Sequence, residues 1–215
     1  MYRYFKRCFD LISALLLLIA ISPVMVILAI IVRLNFGRPI FFKQERSGRN
    51  MQPFMLIKFR TMTDAKDSEG NLLPDHKRVT KFGRFLRSSS LDELPELINI
   101  IKGDMSVIGP RPLPTHYNPY YRQEELSRFN VRGGLVTPDS VDRDPIISWD
   151  KQLKYESDYS RNLSLVEDIM ILVGVFRILF KRTNTDYGGF ERLPLNIERA
   201  KDDNITTNVK QGCIK

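Results

Sequence analysis

Between Leu11 and Val32 the chain carries no charged residue, and at about 1.5 Å per residue this run forms a helix roughly 33 Å long. That is long enough to cross a bilayer, so the rest of the chain must fold beside a membrane segment. Ser22-Pro23 stands at its middle, where proline removes a backbone donor and crowds the preceding turn. A kink is expected there. Arg3, Lys6 and Arg7 precede the run and Arg33, Arg38 and Lys43 follow it, so both flanks prefer the cytoplasmic side. These features favour a re-entrant helix that enters and leaves one leaflet; the alternative is a proline-kinked spanning helix. A cleaved signal peptide does not fit, because no small-residue cleavage site follows and the chain continues basic.

Charge is concentrated around this segment. Residues 1–60 hold ten Lys or Arg against Asp10 and Glu45, whereas the remaining 23 cations and 23 anions cancel. An excess that brackets an apolar run suits an anionic membrane surface, and no nucleic-acid partner is expected. The mean hydropathy of −0.22 excludes a polytopic membrane protein, and 43% hydrophobic residues suffice for a sizeable core. Cys8 and Cys213 lie at opposite ends without metal-ligand spacing, which fits a reducing compartment.

Beyond the membrane segment, residues 39–43 and 54–59 read as two strands joined by a turn at 47–50. Residues 63–78 are polar and read as a mobile loop. Thr80 caps a short helix through Phe82, Phe85 and Leu86, and a second helix carrying Leu94, Leu97, Ile98 and Ile101 stops at Gly103. Residues 108–112 are too rich in Gly and Pro for regular structure. Residues 117–129, 149–159 and 165–180 are expected to be helical, the last as core or as an interfacial helix on the bilayer. Residues 183–215 read as a poorly ordered polar tail. The fold class is therefore α+β, mainly α, divided into a re-entrant segment at 1–36, a cytosolic catalytic domain with interfacial helices at 37–182, and the tail.

The segment with most chemical content is Arg84 to Leu97. Adjacent Asp92 and Glu93 at a helix start, a few residues after Arg84 and Arg87, can bind a metal or attack a phosphate, because cations and the helix end keep a carboxylate ionised. Ser90-Leu91-Asp92-Glu93 is also a capping-box pattern, in which the acids serve only the helix, and spacing alone favours that reading. Lys58 and Arg60 at a strand end can hold phosphates or protect an edge strand, and Arg111 between Pro110 and Pro112 is either an oriented oxyanion ligand or an exposed turn residue. His76 and His116 have no partner at catalytic spacing, and neither a phosphate-binding glycine loop nor a dinucleotide fingerprint is present.

Taken in order, the basic start, the run broken at Ser22-Pro23, Lys58-Phe59-Arg60-Thr61-Met62, Arg87 followed by Leu91-Asp92-Glu93-Leu94-Pro95, and Gly109-Pro110-Arg111-Pro112 resemble the bacterial sugar transferases known as small monotopic phosphoglycosyl transferases. The resemblance covers residues 1–180, and the chain looks like the minimal catalytic form without extra amino-terminal membrane helices. It implies transfer of a sugar 1-phosphate from a UDP-sugar to polyprenyl (undecaprenyl) phosphate at the cytoplasmic face of the bacterial inner membrane, initiating surface polysaccharide assembly with downstream glycosyltransferases as possible partners. It also implies that Asp92 is the nucleophile of a ping-pong reaction through an aspartyl phosphosugar. Glu93 would assist as base or in positioning, Mg²⁺ would sit near Asp92, and Lys58, Arg60, Arg87 and Arg111 would bind phosphates, Arg87 that of the lipid. The chain departs from the family pattern at Gly133-Gly134 and Thr137-Pro138-Asp139, in a region expected to meet the nucleotide sugar. Two other readings remain: a non-catalytic membrane scaffold, and a hydrolase in which water replaces the lipid.

Overall fold

The computed structural model describes residues 1–142, 147–181 and 192–200. Among the described residues the chain is mainly helical, with two small two-stranded sheets, and it divides into two compact units. One unit comprises Asp10–Gln44 and Met55–Gly103; the other comprises Met1–Phe9, Glu45–Phe54 and Asp104–Lys215.

The first of these units is built on α1 (Tyr2–Phe36), whose opening residues belong to the other unit. Among the described residues α1 is the one helix long and apolar enough to cross a membrane, and only 17% of its most apolar 18-residue window is buried. It stays helical on both sides of Ser22-Pro23. Pro23 has no N–H to offer the Ile19 carbonyl, and the Ser22 hydroxyl donates to that carbonyl instead, at 2.9 Å. A serine before the proline thus supplies a donor that hydrocarbon cannot. Toward its end α1 turns one face inward: Leu28, Val32 and Phe36 pack with Phe59 and Leu86, and the Phe36 and Phe82 rings stack at 6.2 Å.

The paired strands β1 (Phe41–Ser47) and β2 (Pro53–Phe59) match the expected hairpin, with a tight helical turn at Arg49–Met51. Residues 63–78, expected as a mobile loop, are instead tied at both ends. Met62 bridges Val79 and Lys66 bridges Leu72, the Asp67 carboxylate accepts from the amides of Glu69 and Asn71, and the one-turn helix α2 (Asp75–Arg78) follows. Polar side chains satisfy the local backbone there rather than leaving it to water.

Helix α3 (Lys81–Ser88) begins at Thr80, whose hydroxyl oxygen accepts from the Gly83 amide at 3.0 Å. It lies so close to the strand exit that a Cβ on Gly83 would stand 2.0 Å from the Thr61 carbonyl oxygen. Helix α4 (Glu96–Lys102) ends as expected at Gly103, which takes φ +95° and donates its amide to the carbonyls of Asn99 and Ile100.

In the other unit, β3 (Met105–Ile108) pairs in parallel with β4 (Gly133–Val136), Met105 opposite Gly133 and Ile108 opposite Val136. Regular structure therefore reaches Ile108, and the irregular segment begins at Gly109. The departure at Gly133-Gly134 has a packing cause: a Cβ on Gly134 would stand 2.0 Å from the Gly109 nitrogen, and one on Gly133 2.7 Å from the Pro112 ring. The expected helix over 117–129 is two 3-10 segments, Thr115–Tyr120 and Gln123–Asn130, separated by extended backbone at Tyr121 and Arg122. Pro119, which cannot donate within a helix, lies just before the break.

Helices α5 (Trp149–Arg161) and α6 (Leu165–Lys181) stand where periodicity places them. Tyr121, Phe129, Trp149 and Leu153 form one core of this unit, and Ile108, Val131, Tyr159 and Ile171 another. Asp168 on the buried face of α6 accepts from Tyr2, Lys6 and Tyr159 at 2.6–2.7 Å, which fastens the first turns of α1 to this unit. Of the expected tail, residues 183–191 and 201–215 lie outside the described residues. The part that is described packs inward: α7 (Leu195–Glu198) buries Leu195, and Arg199 forms an ion pair with Glu125 at 2.7 Å.

Candidate active site

The dyad does not open a capped helix. Ser90 adopts a left-handed conformation with φ +57°, and its side chain makes no capping bond. Leu91–Glu93 form a separate 3-10 turn, and Pro95 stands between it and α4. The capping-box reading is thereby corrected, for a physical reason: left-handed backbone at Ser90 turns the chain before the acids instead of leading into them.

Glu93 turns instead to the strand. The Lys58 ammonium, near the end of β2, lies 2.7 Å from Glu93 Oε1 and 3.2 Å from Glu96 Oε1. Glu96 is only 4% exposed, so its charge is compensated inside the unit by this one lysine and its other polar contacts. Lys58 is itself aimed by Asn99, which is fully buried and whose side-chain amide acts as a partner strand: Oδ1 accepts from the Ile57 amide at 3.1 Å and Nδ2 donates to the Met55 carbonyl at 2.8 Å. Glu96, Asn99 and Thr61 were not among the residues the sequence singles out. The two former lie on the first turns of α4, four and seven positions after Asp92, where helical spacing carries their side chains toward one region.

Asp92 is 8% exposed and, among the described residues, enters no ion pair. Burial pushes its carboxyl above the ordinary carboxylate range; Lys58 pulls down, Glu93 pushes up, and its own backbone amide and Arg87 pull down without reversing the direction. Arg87, exposed on α3, donates through Nε to Thr61 Oγ1 at 3.0 Å. The close passage of Gly83 over Thr61, one helical turn earlier, is what brings this pair together.

Of the other expected residues, Arg60 is buried and holds the chain leaving β2: it donates to the carbonyls of Met62 at 2.9 Å and Arg38 at 3.1 Å and pairs with Asp64 at 2.5 Å. Arg111 belongs to the other unit. Asp92, Glu93, Lys58 and Arg87 are thus gathered in one unit, together with Glu96.

The donor set also bears on a metal. Among the described residues no group of three or more His, Cys, Asp or Glu could hold an ion by itself. Mg²⁺ needs less from a protein, since it keeps several waters and takes one or two carboxylates plus substrate phosphate oxygens. Asp92, the dyad carboxylate outside the Lys58 pair, fits an ion of that kind arriving with a diphosphate.

Comparison with known proteins points the same way as the motifs. The family described as "Bacterial sugar transferase" matches residues 1–182. The chain is 46% identical over 167 residues to the uncharacterized sugar transferase EpsL of Bacillus subtilis (strain 168), an overlap of 78% of this chain and 83% of that protein. It is 36% identical over 188 residues to the UDP-glucose:undecaprenyl-phosphate glucose-1-phosphate transferase of Klebsiella pneumoniae, covering 82% of this chain but 40% of that protein. With the exopolysaccharide production protein ExoY of Rhizobium meliloti (strain 1021) it shares 32% identity over 184 residues, 78% of this chain and 81% of the relative.

Proposed function

Because the chain belongs to the bacterial sugar transferase family, we propose that it is a phosphoglycosyl transferase that moves a sugar 1-phosphate from a UDP-sugar to polyprenyl phosphate. The observation that carries the assignment of roles is the division of labour around Lys58. Glu93 and Glu96 share its ammonium, while Asp92 is buried beside them outside any ion pair among the described residues. A carboxylate held off its neighbouring cation keeps its lone pairs for a phosphorus atom.

A carboxylate oxygen of Asp92 attacks the sugar-bearing phosphorus of the UDP-sugar, the bond from that phosphorus to the bridging oxygen breaks, and UMP departs with the oxygen. A phosphate oxygen of the polyprenyl phosphate then attacks the same phosphorus, the acyl phosphate bond breaks, and the Asp92 carboxylate returns. Two large anions thereby use one nucleophile in turn. Lys58 neutralises charge on the transferred phosphate, Glu93 steers that lysine, and Arg87, fixed through Thr61, receives the lipid phosphate. Arg111 is read as a further phosphate ligand, and Arg60 as the residue that fixes the exit of β2. When bound at Asp92, Mg²⁺ supplies charge neutralisation on the diphosphate.

The membrane reading extends to α1 and α6, each of which exposes a long row of apolar side chains. We take α1 as the re-entrant anchor, Ser22-Pro23 as its turning point, and the exposed stripe Val166, Ile169, Met170, Val173 and Phe176 of α6 as a helix lying in the interface. Basic flanks on both sides of α1 support a position at the cytoplasmic face of the inner membrane.

The test is UMP release from a panel of UDP-sugars, with and without undecaprenyl phosphate and Mg²⁺, in membrane-mimetic detergent. Lipid-dependent release with one sugar is expected. Release of sugar phosphate without lipid would make the protein a hydrolase, and no release under any condition would leave a scaffold.

A further inference from the structure

Arg128 and Glu156 form an ion pair that is 1% and 0% exposed, with Arg128 Nη2 2.7 Å from Glu156 Oε2. Two of its further bonds meet on one residue. Glu156 Oε1 accepts from the Arg111 amide at 3.1 Å, and Arg128 Nη2 donates to the Arg111 carbonyl at 2.6 Å. The pair therefore grips both polar backbone groups of Arg111, whose side chain is exposed.

The neighbours of Arg111 complete this hold. Pro110 and Pro112 have no N–H, and the Pro110 carbonyl accepts from the Gly134 amide at 2.9 Å. The pair is supported in turn: Gln152, one turn before Glu156 on α5, donates to Glu156 Oε1 at 2.9 Å, and Arg128 donates to the Tyr121 hydroxyl at 3.2 Å. The Arg128 guanidinium lies over the Tyr121 and Phe129 rings at 5.1 and 4.9 Å. Burial pushes the Tyr121 hydroxyl up to about 12, with Arg128 pulling it down and Glu156 and Glu125 pushing it up, so a neutral hydroxyl stands beside the guanidinium.

A buried ion pair is a poor way to gain stability, since apolar side chains of equal volume commonly do as well. What apolar side chains cannot do is present an acceptor to the N–H and a donor to the carbonyl of one residue, and so hold both peptide groups that flank it. We propose that Glu156 and Arg128 are positioning residues for the transfer, fixing the backbone of Arg111 so that its guanidinium is held ready for a substrate phosphate. This rests on the reading of Arg111 as a phosphate ligand. A ligand displaced by about 1 Å can cost on the order of a hundredfold in rate, so the pair acts on catalysis from within the core.

The test is a double-mutant cycle on the full chain, with kcat and KM for UMP release and the melting temperature measured for Arg111→Ala, Glu156→Gln and the two combined. Each single change is expected to lower kcat/KM roughly tenfold to a hundredfold, and the double variant to be no worse than Arg111→Ala alone. Losses that multiply would overturn the proposal and give Glu156 a role in the fold only. An Arg111→Ala variant with undiminished kcat/KM would overturn the phosphate-ligand reading, and the proposal with it. A loss in Arg111→Ala with none in Glu156→Gln would overturn the proposal alone. Should Glu156→Gln not fold, Arg128→Lys takes its place in the cycle: it keeps the charge but cannot reach Glu156 and the Arg111 carbonyl with one planar fork, and the same absence of further loss in the Arg111→Ala background is expected.

Discussion

Asp92→Asn should abolish lipid-dependent UMP release, by at least roughly a thousandfold, while leaving the protein at least as stable at neutral pH as the wild type. Asparagine keeps the size of the side chain and removes the attacking oxygen anion. The stability half follows from the sign of the shift at Asp92, whose carboxyl is raised by burial. A carboxyl raised in the folded state adds stability below its unfolded value and loses it as pH rises through the folded value, so ionised Asp92 is a burden at neutral pH. Asparagine removes that burden. Circular dichroism melts at pH 7 check this directly, and a substantial loss of melting temperature would return Asp92 to a structural role.

Lys58→Met should fail on both counts. It strands Glu96, 4% exposed, and Glu93 without the cation the two share, which costs about 3 kcal/mol in denaturant titration, and activity disappears. Adding Glu96→Gln to that variant removes the stranded buried charge, and part of the stability should return. Activity should not, because no cation remains for the transferred phosphate. Recovery of UMP release in the double variant would mean that Lys58 serves the fold alone.

The legible parts of this chain are those in which a residue acts on its own backbone. Thr80 announces α3 because its hydroxyl meets an amide three residues on, and Gly103 announces the end of α4 because only glycine takes its left-handed backbone without strain. The amphipathic spacing of α5 and α6 is likewise local. At the dyad, local logic misleads. Ser90-Leu91-Asp92-Glu93 has the spacing of a capping box, and what defeats it is the left-handed backbone at Ser90, after which Glu93 turns to a lysine 35 positions away. Asn99 gripping β2 and Glu156 gripping Arg111 are of the same kind, being buried polar groups whose partners are fixed only when distant segments meet. The 63–78 segment is hard to read for the opposite reason: its polar residues bond to one another's backbone and so tie the segment down without an apolar pattern.

The covalent step is reached most directly by incubating the full chain with its UDP-sugar and Mg²⁺ in the absence of polyprenyl phosphate and measuring the intact protein mass. The two-step scheme predicts one sugar phosphate added per protein, located on Asp92 after proteolysis, absent in Asp92→Asn, and discharged when polyprenyl phosphate is added. Unmodified protein, together with UMP release only when both substrates are present, would contradict it and require direct transfer in a ternary complex.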